Sequence, residues 1–320
     1  MTRFAIGVDL GGTNLRVAAV NENGGLFDQI SLLTQVERGR EDVVERLTGG
    51  ILELARRWKD RYHLVGIGVG VPGILRLKDG VLLASPNLPG WENFNVRALI
   101  SRRLNSPFFL ENDANAAALG EKWIGSGKNV DHLCFLTMGT GIGGGLILNG
   151  RIWHGAFGMA AELGHVTIYP DGRPCACGSR GCLEAYAAAS AVVRAAQERL
   201  SEGKASPALK DAAASGAKLT SALIYQLARQ GDESSKAIFA EVGRALGMAI
   251  ANFINIFDAE IFVLGGGAVD AWDAFEASMF EEVAARSYVY RNDPRQIVKS
   301  SLGNQAGIFG AACLAFQNQA

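Results

Sequence analysis

Three of the chain's five cysteines lie between residues 175 and 182, in the run "ELGHVTIYPDGRPCACGSRGCLE" (162–184). A histidine precedes them, giving His165-x9-Cys175-x-Cys177-x4-Cys182. Three thiolates and an imidazole make a closed tetrahedral set that suits zinc, with no position left open for a reacting ligand. No C-x-x-C pair is present to favour a redox reading. Gly172, Pro174, Gly178 and Gly181 let the chain wrap an ion. The zinc is therefore expected to be structural, held by His165, Cys175, Cys177 and Cys182. A metal-bound imidazole has a second ring nitrogen to offer a neighbour. Glu162 and Glu184 flank the motif, and carboxylates accept paired hydrogen bonds from adjacent hydroxyls. The spacing thus points Glu162, His165 and Glu184 at a polyol.

Glycine turns supply a second chemistry. "DLGGTNLR" (9–16) places an acid, two glycines and a threonine at a hairpin tip, where successive amides form an anion nest. The hydroxyl of Thr13 adds a donor. "GTGIGGG" (139–145) matches G-x-G-x-x-G, but a dinucleotide site requires a helix next. Here "LILNGRI" follows, a strand with an Asn-Gly turn, so the run reads as a second phosphate hairpin. "LGGGAV" (264–269), after a buried strand, is a third loop open to close approach and placed to hold a nucleoside. "LENDANAAALGE" (110–121) supplies an acid: Asp113 opens a helix, where it reads as the N-cap. It also stands at a strand end, where α/β folds put reactive groups. A hydroxyl attacking a γ-phosphate needs such a carboxylate to accept its proton.

These residues need a frame. "FAIGVDL" (4–10), "LRVAAV" (15–20) and "GGLFDQISLL" (24–33) predict strands, and residues 40–58 have helical periodicity. A buried strand is expected at 63–73, a short one at 106–112 and a helix at 113–123. Strand, glycine turn and strand then recur at 132–138, 139–145 and 146–153. A long helix at 234–257, a buried strand at 259–267 and a terminal helix at 303–316 complete the pattern. Two halves, each opened by a glycine hairpin, predict a duplicated α/β protein with a cleft between its domains and a joint near residues 111–118.

Composition narrows the class. Of the residues 48% are hydrophobic and 20% charged, as in globular proteins, and the net charge of -1 gives nucleic acid no electrostatic footing. No run approaches the roughly 20 apolar residues of a membrane span. The first apolar stretch is short and broken by Asp9, unlike a signal peptide, which points to the cytoplasm. Cys134 and Cys313, in apolar contexts, read as core thiols.

"DLGGTNLR", "ENDANAAALGE", "TMGTGIGGG", "ELGH" and "CACGSRGCLE" together resemble the ROK family of repressors and sugar kinases, within the actin-like ATPase superfamily. The cysteine run is similar to that of bacterial ROK glucokinases. The resemblance implies two actin-like (ribonuclease H-like) α/β domains. The first is a small domain over 1–117, with a C-terminal helix (about 303–320) packed back on it. The second is a large domain over 118–302. It implies an ATP-dependent kinase that phosphorylates the 6-hydroxyl of a hexose, glucose before N-acetylmannosamine, N-acetylglucosamine or fructose. Asp113 matches the catalytic base, and Gly73, Asn87, Asn112, Glu162, His165 and Glu184 match the sugar contacts. Gly11, Gly12, Thr13, Asn14, Gly139, Thr140, Gly141, Gly265, Gly266 and Gly267 match the nucleotide contacts. Asp9 resembles the acid that holds magnesium through water. Many members carry Lys where Asn14 stands, and the nearest cation on that face is Arg16. The implied mechanism closes both domains on the sugar. A homodimer is implied too, and polyphosphate is a conceivable second donor. Repressor members carry an N-terminal helix-turn-helix, for which the strand starting at Phe4 leaves no room.

Overall fold

The computed structural model describes residues 2–318. Its elements begin with β1 (Thr2–Leu10), β2 (Asn14–Asn21), β3 (Leu26–Leu33), α1 (Arg40–Trp58) and β4 (Tyr62–Val71). A three-stranded sheet follows, of β5 (Ile74–Arg76), β6 (Val81–Ala84) and β7 (Phe94–Asn95), then α2 (Val96–Ser101), β8 (Phe108–Asn112) and α3 (Asp113–Ile124). The main sheet has the order β3-β2-β1-β4-β8. β1 to β3 form antiparallel pairs, and β4 and β8 continue the sheet in parallel. The near-continuous apolar runs of β1 and β4 fit strands covered on both faces. One cover is α1, which buries Val43, Val44, Leu47, Ile51 and Leu54 at spacings of three and four.

The other cover is the C-terminal helix Ala306–Gln317. It lies so close that a β-carbon on Gly68 would stand 1.7 Å from the carbonyl oxygen of Ala311. One on Gly310 would stand 1.6 Å from that of Ala116 in α3. Small residues here are a packing requirement. Glu121, fully buried in α3, fastens the segment leading into this helix. Its carboxylate accepts from the backbone of Ser126 at 2.7 Å and of Leu302 at 3.1 Å, and from the hydroxyls of Ser300 at 2.5 Å and Ser301 at 3.4 Å.

The chain continues through β9 (Leu133–Met138), β10 (Ile142–Leu148) and β11 (Arg151–Ile152). Helices α4 (Glu184–Ala187), α5 (Ala189–Ser201), α6 (Pro207–Ala214), α7 (Ser221–Arg229) and α8 (Glu233–Phe257) follow. Then come β12 (Ile261–Gly265), α9 (Trp272–Arg286), α10 (Tyr288–Asn292) and β13 (Gln296–Lys299). The second sheet has the order β11-β10-β9-β12-β13. In both sheets the third, second, first, fourth and fifth strands of a set stand side by side, the duplication expected from the repeated hairpins. α8 has 25 residues and a mean hydropathy of 1.4 over its most apolar window, enough by length and composition for a membrane span that the sequence reading did not anticipate. However, 72% of that window is buried within the protein, as in a core helix.

Two compact units emerge. One comprises residues 2–135, 145–161 and 300–318, the other residues 136–144 and 162–299. The expected boundary at 117/118 would cut α3 in half. The close approach of Gly120 and Gly310 to their neighbours holds α3 and the C-terminal helix together in the first unit. Residues 319 and 320, which end the expected C-terminal helix, lie outside the described residues.

Candidate functional site

In the first unit the β1–β2 turn carries Gly11, Gly12, Thr13 and Asn14. The amide of Gly11 donates to Asn14 O at 2.9 Å. Thr34 grips the turn from outside, its amide on Thr13 O at 2.8 Å and its hydroxyl on Gly11 O at 2.6 Å. A β-carbon on Gly12 would lie 2.6 Å from Asn87 O, so the fold brings Gly12 and the exposed Asn87 together. Asp9, at the end of β1, retains 24% of its side-chain surface. Even so, enclosure by its neighbours pushes its carboxyl above the ordinary range, and Arg16 works against that shift. Arg16 stands 3.9 Å from Asp9 and donates to the carbonyl of Asn304. Arg16 thus engages two of the protein's own oxygens. A half-open acid with a raised pKa suits a hydrated divalent cation, which would favour its charged form.

Asp113 sits in the first turn of α3, just past the end of β8. The N-cap expected at Asp113 belongs to Asn112, whose Oδ1 accepts from Ala114 N at 2.9 Å and Asn115 N at 3.0 Å. Asn112 has the extended backbone of a cap, whereas Asp113 is already helical. The other end of Asn112, Nδ2, donates to Gly73 O at 3.0 Å. Gly73 has φ +106°, a conformation that favours glycine. The Asp113 carboxylate accepts from Ala114 N at 2.9 Å through Oδ1.

Two residues beneath this corner were not singled out from sequence. Glu111, only 2% exposed, accepts from Asn112 N at 2.9 Å and Asn115 Nδ2 at 3.1 Å through Oε1. Its Oε2 meets His154 Nε2 at 2.6 Å. Spacing could not have shown this: the partners are 43 residues apart.

In the second unit, Glu162 precedes a 3₁₀ turn, Leu163–His165. Glu162 keeps an exposed edge, but crowding of its inner side raises its carboxyl above the usual range. His165 opposes that shift and Glu184 reinforces it. The ligand atoms of His165, Cys175, Cys177 and Cys182 all lie within 4.8 Å of one another. Cys175 Sγ is 3.7 Å from His165 Nδ1, and Cys177 Sγ is 3.7 Å from Cys182 Sγ. A tetrahedral zinc with Zn–S bonds of about 2.3 Å demands sulfur separations of about 3.8 Å, so the residues fit the metal. Burial and the adjacent thiols push Cys182 up to about 12, and burial raises Cys175 as well. Backbone donation from Ser179 lowers Cys177. A divalent cation would draw all three to thiolates. Cys134 and Cys313 are buried, as expected of core thiols.

Glu184 also does something its sequence position did not suggest. Its Oε2 accepts from the amide of Ile142 at 2.9 Å, and a β-carbon on Gly141 would stand 2.4 Å from that oxygen. Ala189 N donates to Gly139 O at 2.9 Å and the Ser190 hydroxyl to Thr140 O at 2.7 Å. The 139–142 turn is therefore clipped at three points by residues 184–190. Gly265 ends β12, and Gly266 (φ +84°) presses on Met138, where a β-carbon would lie 2.4 Å from its carbonyl. Beside Gly267 and Ala268 lies a recess of about 80 Å³ lined by Ala187, Tyr225, Phe239 and Phe275.

Two sheets with matching strand order and a glycine hairpin in each define an actin-like fold. A ROK family glucokinase from Streptomyces griseus, solved with glucose and AMPPNP, superposes with a TM-score of 0.82. It is 32% identical, covering 98% of this chain and 99% of that one. The chain belongs to the ROK family, whose sequence profile matches residues 5–318. It is 40% identical to a glucokinase of Thermotoga maritima over 97% of this chain and 96% of the relative. It is also 30% identical to a xylose repressor of Caldicellulosiruptor bescii over 97% of this chain and 77% of the relative.

Proposed function

We propose that the protein is an ATP-dependent sugar kinase that phosphorylates the 6-hydroxyl of glucose. The observation carrying this reading is Asp113: a carboxylate past a parallel strand's end, on a corner held by Asn112, Gly73 and Glu111. Asp113 accepts the proton of the attacking hydroxyl. The resemblance to the family supports Gly73, Asn87, Asn112, Glu162, His165 and Glu184 as the residues that accept from or donate to the hydroxyls of the acceptor. The amides of both glycine turns receive the phosphate chain, and the recess beside Ala268 takes the nucleoside. Asp9 would help hold magnesium, which would offset charge on the transferring phosphoryl group. His165, Cys175, Cys177 and Cys182 would hold zinc, which would order the 162–184 segment. The T. maritima and S. griseus glucokinases support the choice of sugar.

A coupled assay with ATP and magnesium over glucose, fructose, N-acetylglucosamine and N-acetylmannosamine tests it. Glucose is expected to give the highest kcat/KM, since buried polar groups left without a hydroxyl discriminate by several kcal/mol. A preference for N-acetylmannosamine would reassign the substrate. The repressor likeness supports a second reading, a sugar-sensing regulator. Salt-sensitive, sequence-specific DNA binding without turnover of any sugar would establish it instead.

A further inference from the structure

Glu111 is among the few buried charged residues, and its two oxygens face different parts of the chain. Oε1 takes donors from Asn112 and Asn115, at the start of α3. Oε2 takes His154, which is half-buried and opens a loop that ends at Ala161, next to Glu162. The base of that loop is closed by Ala160 N on His154 O at 3.1 Å. One carboxylate therefore joins the corner bearing Asp113 to the root of the segment that delivers Glu162. A buried carboxylate without a cationic or strong donor partner is costly, and His154 supplies that partner. The bond from Glu111 raises His154 above the usual imidazole range against its partial burial.

We propose that His154 is a positioning residue for phosphoryl transfer: through Glu111 it sets the Asn112–Asp113 corner and the root of the 154–161 loop in one fixed relation. This rests on reading Asp113 as the proton acceptor. His154 is not itself among the proposed sugar or nucleotide contacts. It acts by locking the direction of Glu111, which in turn orients the Asn112 amide. Misplacement of a reacting group by as little as 1 Å can cost about 10²-fold in rate.

The test compares H154F, H154Q and E111Q as full-length proteins. H154F fills the volume but removes the donor. H154Q keeps a donor to Glu111. With glucose and ATP saturating, kcat of H154F is expected to fall by about 10- to 100-fold with ATP KM little changed. H154Q is expected to recover most of that loss. A structural role alone would lower thermal stability in H154F without a kcat deficit that H154Q restores. The second readout is the imidazole nitrogen NMR spectrum, which does not depend on any reaction. Wild-type His154, when neutral, should carry its proton on Nε2. In E111Q the amide oxygen must stay with the two donors at Asn112 and Asn115, which turns the amide NH₂ toward His154. The neutral ring should then move its proton to Nδ1, and its pKa should drop. An unchanged tautomer and titration in E111Q would overturn the pair. Wild-type kcat in H154F, or equal losses in H154F and H154Q, would overturn the positioning role. D113N with near-normal turnover would defeat the reading of Asp113 while leaving the imidazole result standing.

Discussion

The corner at residues 111–115 and the segment at residues 162–184 carry the proposed sugar contacts, and they are held by opposite means. The first is a strand running into a helix, held by the main-chain and side-chain hydrogen bonds of Glu111, Asn112 and Asn115. The second has a single 3₁₀ turn and two isolated bridges, Thr167 with Cys182 and Pro174 with Arg180. It instead gathers four candidate metal ligands within 4.8 Å of one another, and on the proposed reading a bound zinc would supply its order. Regular secondary structure aims a side chain through many weak, redundant bonds. A metal does so through a few strong ones and fails all at once.

The largest effect should follow from D113N. Because Asn112 is the cap, Asp113 can lose its charge without disturbing the helix start. kcat should fall by about 10² to 10⁴-fold while thermal stability barely moves, as read by steady-state kinetics and thermal melts. N112A should do the reverse at its first step. It loses a cap worth about 1 kcal/mol and the clip to Gly73 O, so stability falls along with sugar affinity. Equal stability loss in the two variants would erase the distinction between neighbours.

The buried carboxylate of Glu121 extends the first kind of order to the C-terminal helix. E121A strands several donors at once and should destabilise by about 3 kcal/mol, measured by denaturant unfolding. A loss below about 1 kcal/mol would mean that packing alone docks the helix. On the other side of the comparison, C177S should abolish a metal content of one zinc per chain. Sugar KM should rise by about 10- to 100-fold with little change in the fold of the first unit. Retained zinc in C177S would refute the four-ligand set.

Acidification separates the two regions more gently. Glu162 titrates above the ordinary carboxylate range. For the free protein, the stability linked to this group is present below the ordinary value and lost as pH rises through the raised one. Sugar binding has the opposite sign, because the charged form accepts hydroxyls. Sugar KM should therefore climb by up to about tenfold as pH falls through the mildly acidic range. E162Q should show a high KM with that slope removed. A slope that survives in E162Q would move the titration to another group.

What sequence could show follows the same divide. α1 was legible to its ends because its apolar residues recur every three to four positions over 40–58. The clustering of His165, Cys175, Cys177 and Cys182 was legible because all four sit on one short stretch, where spacing stands for geometry. The glycine hairpins were legible because a strand on each side excludes the dinucleotide alternative. Glu111 and His154 were not, since their meeting depends on how distant segments fold. Glu121, on an alanine-rich helix, was not singled out either, since its partners Ser300, Ser301 and Leu302 lie 179 to 181 residues away. The cap was misassigned by one residue because Asn and Asp both cap well, and only the backbone angles of Asn112 and Asp113 separate them.

The smallest predicted effect lies where the chain passes from one unit to the other. Ala161 is the last residue of the first unit's 145–161 segment and Glu162 the first of the next. Ala161 has φ +68°, in the left-handed region, where a β-carbon costs about 1–2 kcal/mol. A161G removes that cost but gives the unfolded chain more freedom, worth about 0.4–1 kcal/mol. The difference favours the variant by up to about 1.6 kcal/mol, or a melting temperature higher by about 1–4 °C. Glycine also frees the joint that aims Glu162, so sugar KM should rise by about two- to threefold while ATP KM stays put. A stabilised variant with unchanged sugar KM would show that zinc, through His165, aims Glu162 unaided. A lower melting temperature would mean that the strain at Ala161 is offset by contacts its methyl group makes, and the left-handed joint would then be a packed feature of the fold.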